Sequence, residues 1–179
     1  MSDMEFDSID QIIAATIGEP GSRTFFVQAK KGEWVITLQV EKDQVAALAR
    51  AAHQLLTQVG GRDEATEIIK SLERGAGPDD TTPMQDDDPL WVAGSIEIGF
   101  DPNKDMAFIS LDEYVAEEID HIPARARFWL SRAQLATFAA NALKVVAQGR
   151  PICPLCGLPM DPEGHICPAS NGHQPGLSI

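Results

Sequence analysis

The residues best suited to chemistry lie close together near the C-terminus, in the segment CPLCGLPMDPEGHICP at 153–168. Cys153 and Cys156 form a C-x-x-C pair, and His165 and Cys167 form an H-x-C pair nine residues later. Proline and glycine residues between the two pairs allow the chain to turn back on itself. Three thiolates and one imidazole form a ligand set typical of a closed, tetrahedral zinc site. The sequence therefore predicts that Cys153, Cys156, His165 and Cys167 bind one structural Zn²⁺.

Two other roles for the cysteines compete with zinc binding. A thioredoxin-like redox pair places its C-x-x-C at the start of a helix after a strand, but here glycine and proline follow the pair. Thiols without a ligand would not explain why all three cysteines lie close together in the sequence. A catalytic zinc needs an open coordination position, which four protein ligands do not leave. His173 could be a spare ligand, but a histidine in a polar tail is more often solvated. Zinc would supply folding free energy, of order 10 kcal/mol, to a tail with few apolar residues.

A second group of ionisable residues lies in the segment DEYVAEEIDHIPAR at 112–125. A carboxylate beside His121 could support general acid–base chemistry or bind another metal. The composition favours a solvent-facing connection between strands. Arg125 and Arg127 follow on a strand and could pair with these acids or bind an anionic ligand. The acids are Asp112, Glu113, Glu117, Glu118 and Asp120.

Charge and composition narrow the range of functions. The 179 residues carry a formal net charge of -13, which opposes binding to nucleic acid and docking on anionic lipid. The N-terminus lacks an apolar signal region, and every apolar run is shorter than the roughly 20 residues that span a bilayer. The chain has three cysteines, an odd number, which fits a reducing compartment better than a framework of disulfides. We expect a cytoplasmic protein that binds neither nucleic acid nor membranes.

Hydrophobic periodicity predicts the elements that position these residues. Residues 11–40 contain three short apolar runs separated by turn residues, including Lys31-Gly32, and so predict three strands. Trp34, Ile36, Leu38 and Val40 alternate with other residues and predict one apolar strand face. A helical stripe follows from Val45 to Leu56.

The second half of the chain repeats this order of elements. Strands are predicted in WVAGSIEIGF, MAFISL and ARARFWLS, with Val92, Ile96, Ile98 and Phe100 on one face of the first. The apolar stripe of the following helix, Leu135 to Val146, lies ninety positions after its counterpart, and Gln134 matches Gln44. Chance similarity between two amphipathic helices is the alternative to a duplication.

The sequence thus predicts an α+β fold made of a duplicated β-β-β-α unit with pseudo-two-fold symmetry, plus a small C-terminal zinc knuckle. The expected boundaries are 1–60 for the first unit, 61–90 for a short helix and acidic linker, 91–149 for the second unit, and 150–179 for the zinc-binding tail. The aspartates of the linker lack the spacing of a calcium loop, which favours a solvated acidic segment.

Three segments together resemble one family: TIGEPGSRTFFVQA, EKDQVAALA and RPICPLCGLPMDPEGHICPASNGH. The chain is similar over nearly its whole length to the actinobacterial-type family called domain of unknown function 3090. The resemblance implies a cytosolic bacterial protein with a cysteine-rich end and implies no activity. Genes of such proteins often lie near a kinase-like protein and a histidine-type phosphatase, so the resemblance implies a kinase-like protein partner.

The sequence contains no phosphate-binding loop, dinucleotide fingerprint, nucleophile elbow or H-E-x-x-H motif. The predicted function is therefore that of a zinc-stabilised binding or adaptor protein. The alternative is an enzyme whose site lies at the seam between the repeats. It would use acids at 112–121 with Arg125 or Arg127, in phosphate-related signalling or modification.

Overall fold

The structure, a computed structural model, describes residues 3–59, 82–85, 88–117, 121–148, 153–155, 160 and 167. Within these residues the fold is α+β, as predicted, with two β-sheets and two helices. The elements are β1 (Met4–Phe6), β2 (Gln11–Ile17), β3 (Thr24–Lys31), β4 (Trp34–Val40), α1 (Lys42–Val59), β5 (Ala93–Asp101), β6 (Met106–Glu113), β7 (Arg125–Leu130) and α2 (Arg132–Ala147). Neither helix in this part of the chain combines the length and apolar character that a bilayer crossing requires.

The first sheet is an antiparallel meander in the order β2-β3-β4. The predicted turn at Lys31-Gly32 joins β3 to β4, and Gly32 has a φ of 58°, a conformation that glycine adopts without steric cost. Ala14, Val27 and Leu38 lie side by side across the three strands and point into the core.

The second sheet has four strands in the order β1-β7-β6-β5. Strands β5, β6 and β7 are antiparallel and match the predicted strands. Strand β1 pairs parallel with β7, with Met4 opposite Ala126 and Phe6 opposite Phe128. The sequence did not predict β1, because it is three residues long and its partner lies more than a hundred residues away.

The two helices lie side by side and share one core with both sheets. Their buried faces are the predicted stripes, and α2 begins with a capping box made by Ser131 and Gln134. Each helix also packs against a strand of the other half of the chain, because α2 contacts β2 and α1 contacts β5. The two halves are therefore interleaved in one core.

Two glutamines hold these helix starts in place. Gln134 Oε1 accepts from the N–H of Ser131 at 2.9 Å, and its Nε2 donates to the carbonyl of Ile9 at 2.7 Å. Gln44 Oε1 accepts from the N–H of Glu41 at 2.8 Å, and its Nε2 donates to the carbonyl of Ala93 at 3.2 Å. Each glutamine thus caps its own helix and also bonds the chain of the other half, just before β2 for Gln134 and at the start of β5 for Gln44.

Two predicted strand faces were wrong in part. Trp34 is 76% exposed, although Leu38 and Val40 on the same face are buried, because Trp34 lies at the hairpin end beyond the helices. Val92 is 37% exposed and Ala93 is buried instead. A bulge between Ala93 and Ser95 shifts the alternation by one residue.

The face of the three-stranded sheet that points away from the helices is also buried, which the alternation did not predict. Gln28 on the central strand is fully buried. Its side chain accepts from the N–H of Met84 at 2.6 Å and donates to the carbonyl of Gln85 at 2.7 Å. This part of the predicted solvated linker is therefore fastened to the sheet. The short helix predicted after residue 60 lies outside the described residues.

Candidate functional site

A cavity with a volume of about 540 Å³ lies at one end of the four-stranded sheet. Its lining comes from Asp3 and from residues between Gly94 and Arg125. The residues that matter for its chemistry are Asp112 and Glu113 at the end of β6, Arg125 at the start of β7, and the exposed side chains of Tyr114 and Ile122. The cavity belongs to the second half of the chain and does not lie between the two sheets.

Asp112 and Arg125 form a two-point ion pair on neighbouring strands, where they face each other in register. Arg125 Nε lies 2.6 Å from Asp112 Oδ1, and Nη2 lies 3.1 Å from Oδ2. Ser95 Oγ also donates to Oδ2, at 2.9 Å. The bonds from Arg125 lower the pKa of Asp112, and the bonds to Asp112 raise the pKa of Arg125. The predicted pairing of this arginine with the acids is confirmed.

Glu113 fastens both ends of the connection between β6 and β7. Its Oε2 accepts from the N–H of Ala124 at 3.0 Å and lies 2.9 Å from His121 Nε2. The backbone bond from Ala124, followed by the bond with His121, lowers the pKa of Glu113. Glu113 is therefore ionised at neutral pH, and its contacts position the loop.

The remaining predicted residues of this cluster do not meet in one place. Arg127 Nη2 lies 3.9 Å from Glu97 Oε2, and its guanidinium lies over the ring of Phe108. Glu117 is exposed. Glu118 and Asp120 lie outside the described residues.

The geometry suits binding better than acid–base catalysis. A general acid or base works best when its pKa lies near the operating pH, whereas the pKa values of Asp112 and Glu113 are both lowered. Tyr114 and Ile122 are 65% and 83% exposed at the cavity rim. Exposed apolar groups beside charged side chains in a surface depression are typical of surfaces that contact other proteins.

The predicted zinc ligands are described in part. Cys153 and Cys167 are buried, and their Sγ atoms lie 3.8 Å apart although the residues are 14 positions apart in the chain. Disulfide sulfurs lie about 2.05 Å apart, so the two cysteines are not joined by a disulfide. Cys156 and His165 lie outside the described residues. Among the residues that are described, no group of three or more histidines, cysteines or acids could hold a metal.

Together these features define a mixed α+β protein with interleaved halves, a cavity on one sheet that contains charged side chains, and two buried cysteines brought together near the C-terminus. The family model described as "Protein of unknown function (DUF3090)" matches residues 4–167. The chain belongs to this family, which confirms that part of the predicted resemblance. No curated protein and no solved structure matches the chain.

Proposed function

We propose that this chain is a zinc-stabilised, cytoplasmic binding or adaptor protein whose C-terminal segment holds one structural Zn²⁺. The proposed ligands are Cys153, Cys156, His165 and Cys167. The protein partner would contact the four-stranded sheet near the cavity, and a kinase-like protein is the partner class that the family resemblance implies.

The observation that carries the zinc proposal is the separation of the two buried sulfurs. Two thiolates on one tetrahedral zinc, with Zn–S bonds of about 2.3 Å, lie about 3.8 Å apart. Cys153 Sγ and Cys167 Sγ lie 3.8 Å apart. Two packed thiols would give a similar distance, so metal content is the measurement that decides between them.

The binding role is supported by the cavity. Its two central carboxylates are engaged by Arg125, Ala124 and His121, which holds these polar groups in fixed positions for recognition. Tyr114 and Ile122 supply exposed apolar area beside those charges. The enzyme alternative has weaker support, because the acids and the arginine of this cavity do not lie at the seam between the predicted repeats.

We also propose that the two halves arose by duplication. The support comes from Gln44 and Gln134, which are ninety positions apart. Each caps its own helix and bonds the chain of the other half, at the start of β5 for Gln44 and just before β2 for Gln134. Both three-strand units also run in the same antiparallel order. Chance similarity between two amphipathic helices would not produce matching cross-contacts.

The zinc proposal is tested by metal content and stability. Protein purified without added metal should carry one zinc per chain in native mass spectrometry. Cys153→Ser and His165→Ala should lower that content and the melting temperature. His173→Ala, a change to a tail histidine outside the ligand set, should leave both unchanged. A structural zinc would be refuted if the purified protein contained no metal and if the ligand variants melted at the same temperature as the unmodified protein.

The adaptor role is tested by affinity capture from the native host. A partner should be recovered with the unmodified protein and lost with Tyr114→Ala combined with Ile122→Ser. Trp34→Ala removes an equally exposed aromatic residue away from the cavity and should retain the partner. Equal recovery with both variants would place the contact elsewhere, and recovery of no partner would count against the adaptor role.

A further inference from the structure

Each helix meets a strand of the other half along a seam: α2 meets β2, and α1 meets β5. The two seams can be compared position by position. Gln134 bonds the carbonyls of Ile9 and Asp10, and Gln44 bonds those of Ala93 and Gly94. These matching bonds align β2 with β5, so that Ala14 corresponds to Ile98.

The strand registers agree with this alignment. Ala14 lies in one row with Val27 and Leu38, and Ile98 lies in one row with Ile109 and Phe128. Leu38 and Phe128 are ninety positions apart, the spacing that also relates the two helices. By that spacing, Asn141 on α2 corresponds to Ala51 on α1.

The seam between α2 and β2 is closed. Strand β2 is at the edge of its sheet, and the N–H of Ala14 donates to Oδ1 of Asn141 at 2.7 Å. Asn141, Ala14 and Ile12 are all buried. A helix side chain thus satisfies a backbone group that the sheet edge would otherwise leave without a partner.

Within the residues that the structure describes, the corresponding seam between α1 and β5 is open. Ala51 carries no acceptor, and a groove of about 270 Å³ lies beside it. Among the described residues, the groove is lined by small and aliphatic side chains, including Ala47, Ala51, Ile96 and Ile98, and by the uncharged amide of Gln44. Ile96 and Ile98 are only half-buried, unlike their counterparts on β2.

Strand β5 is also at the edge of its sheet. In an antiparallel pair, alternate residues direct both the N–H and the C=O away from the neighbouring strand. The correspondence with Ala14 places Ile98 among these residues. In strand addition, an extended peptide pairs with the exposed edge of a sheet. The outward backbone groups of the edge supply main-chain hydrogen bonds, and a neighbouring apolar groove accepts alternate side chains of the peptide. The β5 edge has both features.

Building on the proposed binding role, we infer that the β5 edge takes an extended segment of a partner protein, which adds as a fifth strand and places an aliphatic side chain in the groove beside Ala51. Because side chains alternate, the groove receives every second residue of that segment. The residues between them lie over the opposite face, where Glu97 and Asp101 project from β5.

The charges define the chemistry of that segment. The side chain of Glu97 is 62% exposed, its carboxylate lies 3.9 Å from Arg127 at the limit of an ion pair, and the whole chain carries a net charge of -13. Opposite charges across a strand pair stabilise it, and like charges oppose it. The segment should therefore alternate aliphatic and basic residues. A second copy of this chain would bring another acidic β5 and is the less favourable occupant.

The test uses labelled peptides of about eight residues, a typical strand length, with the full-length protein at physiological salt. A peptide alternating valine and lysine should bind in fluorescence anisotropy. Two matched peptides should bind roughly tenfold more weakly or not at all. One alternates valine and glutamate. The other keeps every lysine but is N-methylated at alternate residues along one edge, so it cannot donate the ladder bonds.

The variant Ala51→Asn tests the site itself, because it copies the side chain that closes the other seam. It should stay folded and bind the valine–lysine peptide roughly tenfold more weakly, the equivalent of about 1.4 kcal/mol. Gln54→Asn, an exposed change on the same helix, should bind normally. The amide of Ile98 should shift in NMR spectra on titration with the peptide.

Three results would overturn strand addition: no binding of the valine–lysine peptide, equal binding of the N-methylated peptide, or equal binding to the Ala51→Asn variant. A dimer that Ala51→Asn dissociates would assign the edge to a second copy instead. These outcomes are separate from the proposed function. If host capture still recovers a partner with Ala51→Asn, the adaptor role stands without this edge, and if capture recovers none, the adaptor role itself fails.

Discussion

The backbone N–H of Ala14 donates to the side-chain oxygen of Asn141 at 2.7 Å, and both residues are buried. This bond joins an edge strand near the N-terminus to a helix 127 positions later in the chain. It fastens the second half of the chain to the first sheet and satisfies a backbone donor that has no strand neighbour on that side.

Replacing Asn141 should therefore destabilise the protein. Asn141→Leu keeps a similar side-chain volume but leaves the N–H of Ala14 buried without its acceptor, which should lower the free energy of unfolding by about 1–3 kcal/mol. Urea denaturation measures this change. Asn103→Ala, at an exposed turn position, should stay within about 0.5 kcal/mol of the unmodified protein. If Asn141→Leu changed the free energy of unfolding as little as Asn103→Ala, the hydrogen bond between Ala14 and Asn141 would not stabilise the fold.

The two glutamine contacts should contribute independently. Gln134→Ala and Gln44→Ala each remove a helix cap and a bond to the other half, so each should cost about 1–2 kcal/mol. Because they lie at different seams, the double variant should show nearly the sum of the two losses. Gln54→Ala, an exposed glutamine on α1, is the matched control. A loss no greater than that of the control would show that neither contact stabilises the interleaved core.

Stability should fall in acid because of the two carboxylates at the cavity. The native pKa values of Glu113 and Asp112 lie below their ordinary values of 4.5 and 3.8. A lowered native pKa stabilises the fold at pH values above the ordinary pKa. That contribution is lost as the pH falls through the native pKa. Urea midpoints measured from pH 7 down to about pH 3 should therefore decline.

Glu113→Gln should make that decline shallower, because the substituted side chain no longer titrates. Glu33→Gln, at an exposed turn, controls for the loss of one negative charge. If both variants decline as steeply as the unmodified protein, the bonds from Ala124 and His121 do not contribute to stability in this range.

Removal of metal should loosen the C-terminal segment while the main core persists. We expect a strong zinc chelator to make Cys153 and Cys167 reactive toward a thiol reagent, because their burial would depend on the bound ion. The two sheets and their helices share a large apolar core without these residues, so far-ultraviolet circular dichroism should change little. Thiols that stay protected after chelation would show that packing alone buries them.

The strands and helices of both halves were largely predictable, because each presents a repeating apolar pattern to one core. The stripes Val45 to Leu56 and Leu135 to Val145 are buried as expected. Predictions of burial failed for side chains whose environment depends on the tertiary structure and not on the local apolar pattern. Gln28 is buried by residues near Met84, and Trp34 is exposed at a hairpin end.

In the candidate sites, too, some contacts were predictable from the sequence and others were not. The pairing of Arg125 with Asp112 was predictable, because both lie near the joined ends of neighbouring strands. The role of Glu113 was not, because it depends on the path of the loop that brings His121 and Ala124 to one oxygen. The open edge of β5 has no sequence signal of its own and is recognised only by comparison with the closed edge of β2.

The sequence by itself determined the periodic faces, the acidic charge and the ligand types clustered at the C-terminus, because these depend on residue identity and spacing alone. Tertiary structure decided which strands became edges, which helix covers each edge, and which distant side chains satisfy buried backbone groups. Those outcomes depend on how two similar halves interleave. We infer that a single difference between matched positions, Asn141 on one helix and Ala51 on the other, leaves one seam closed and the other open within the described residues.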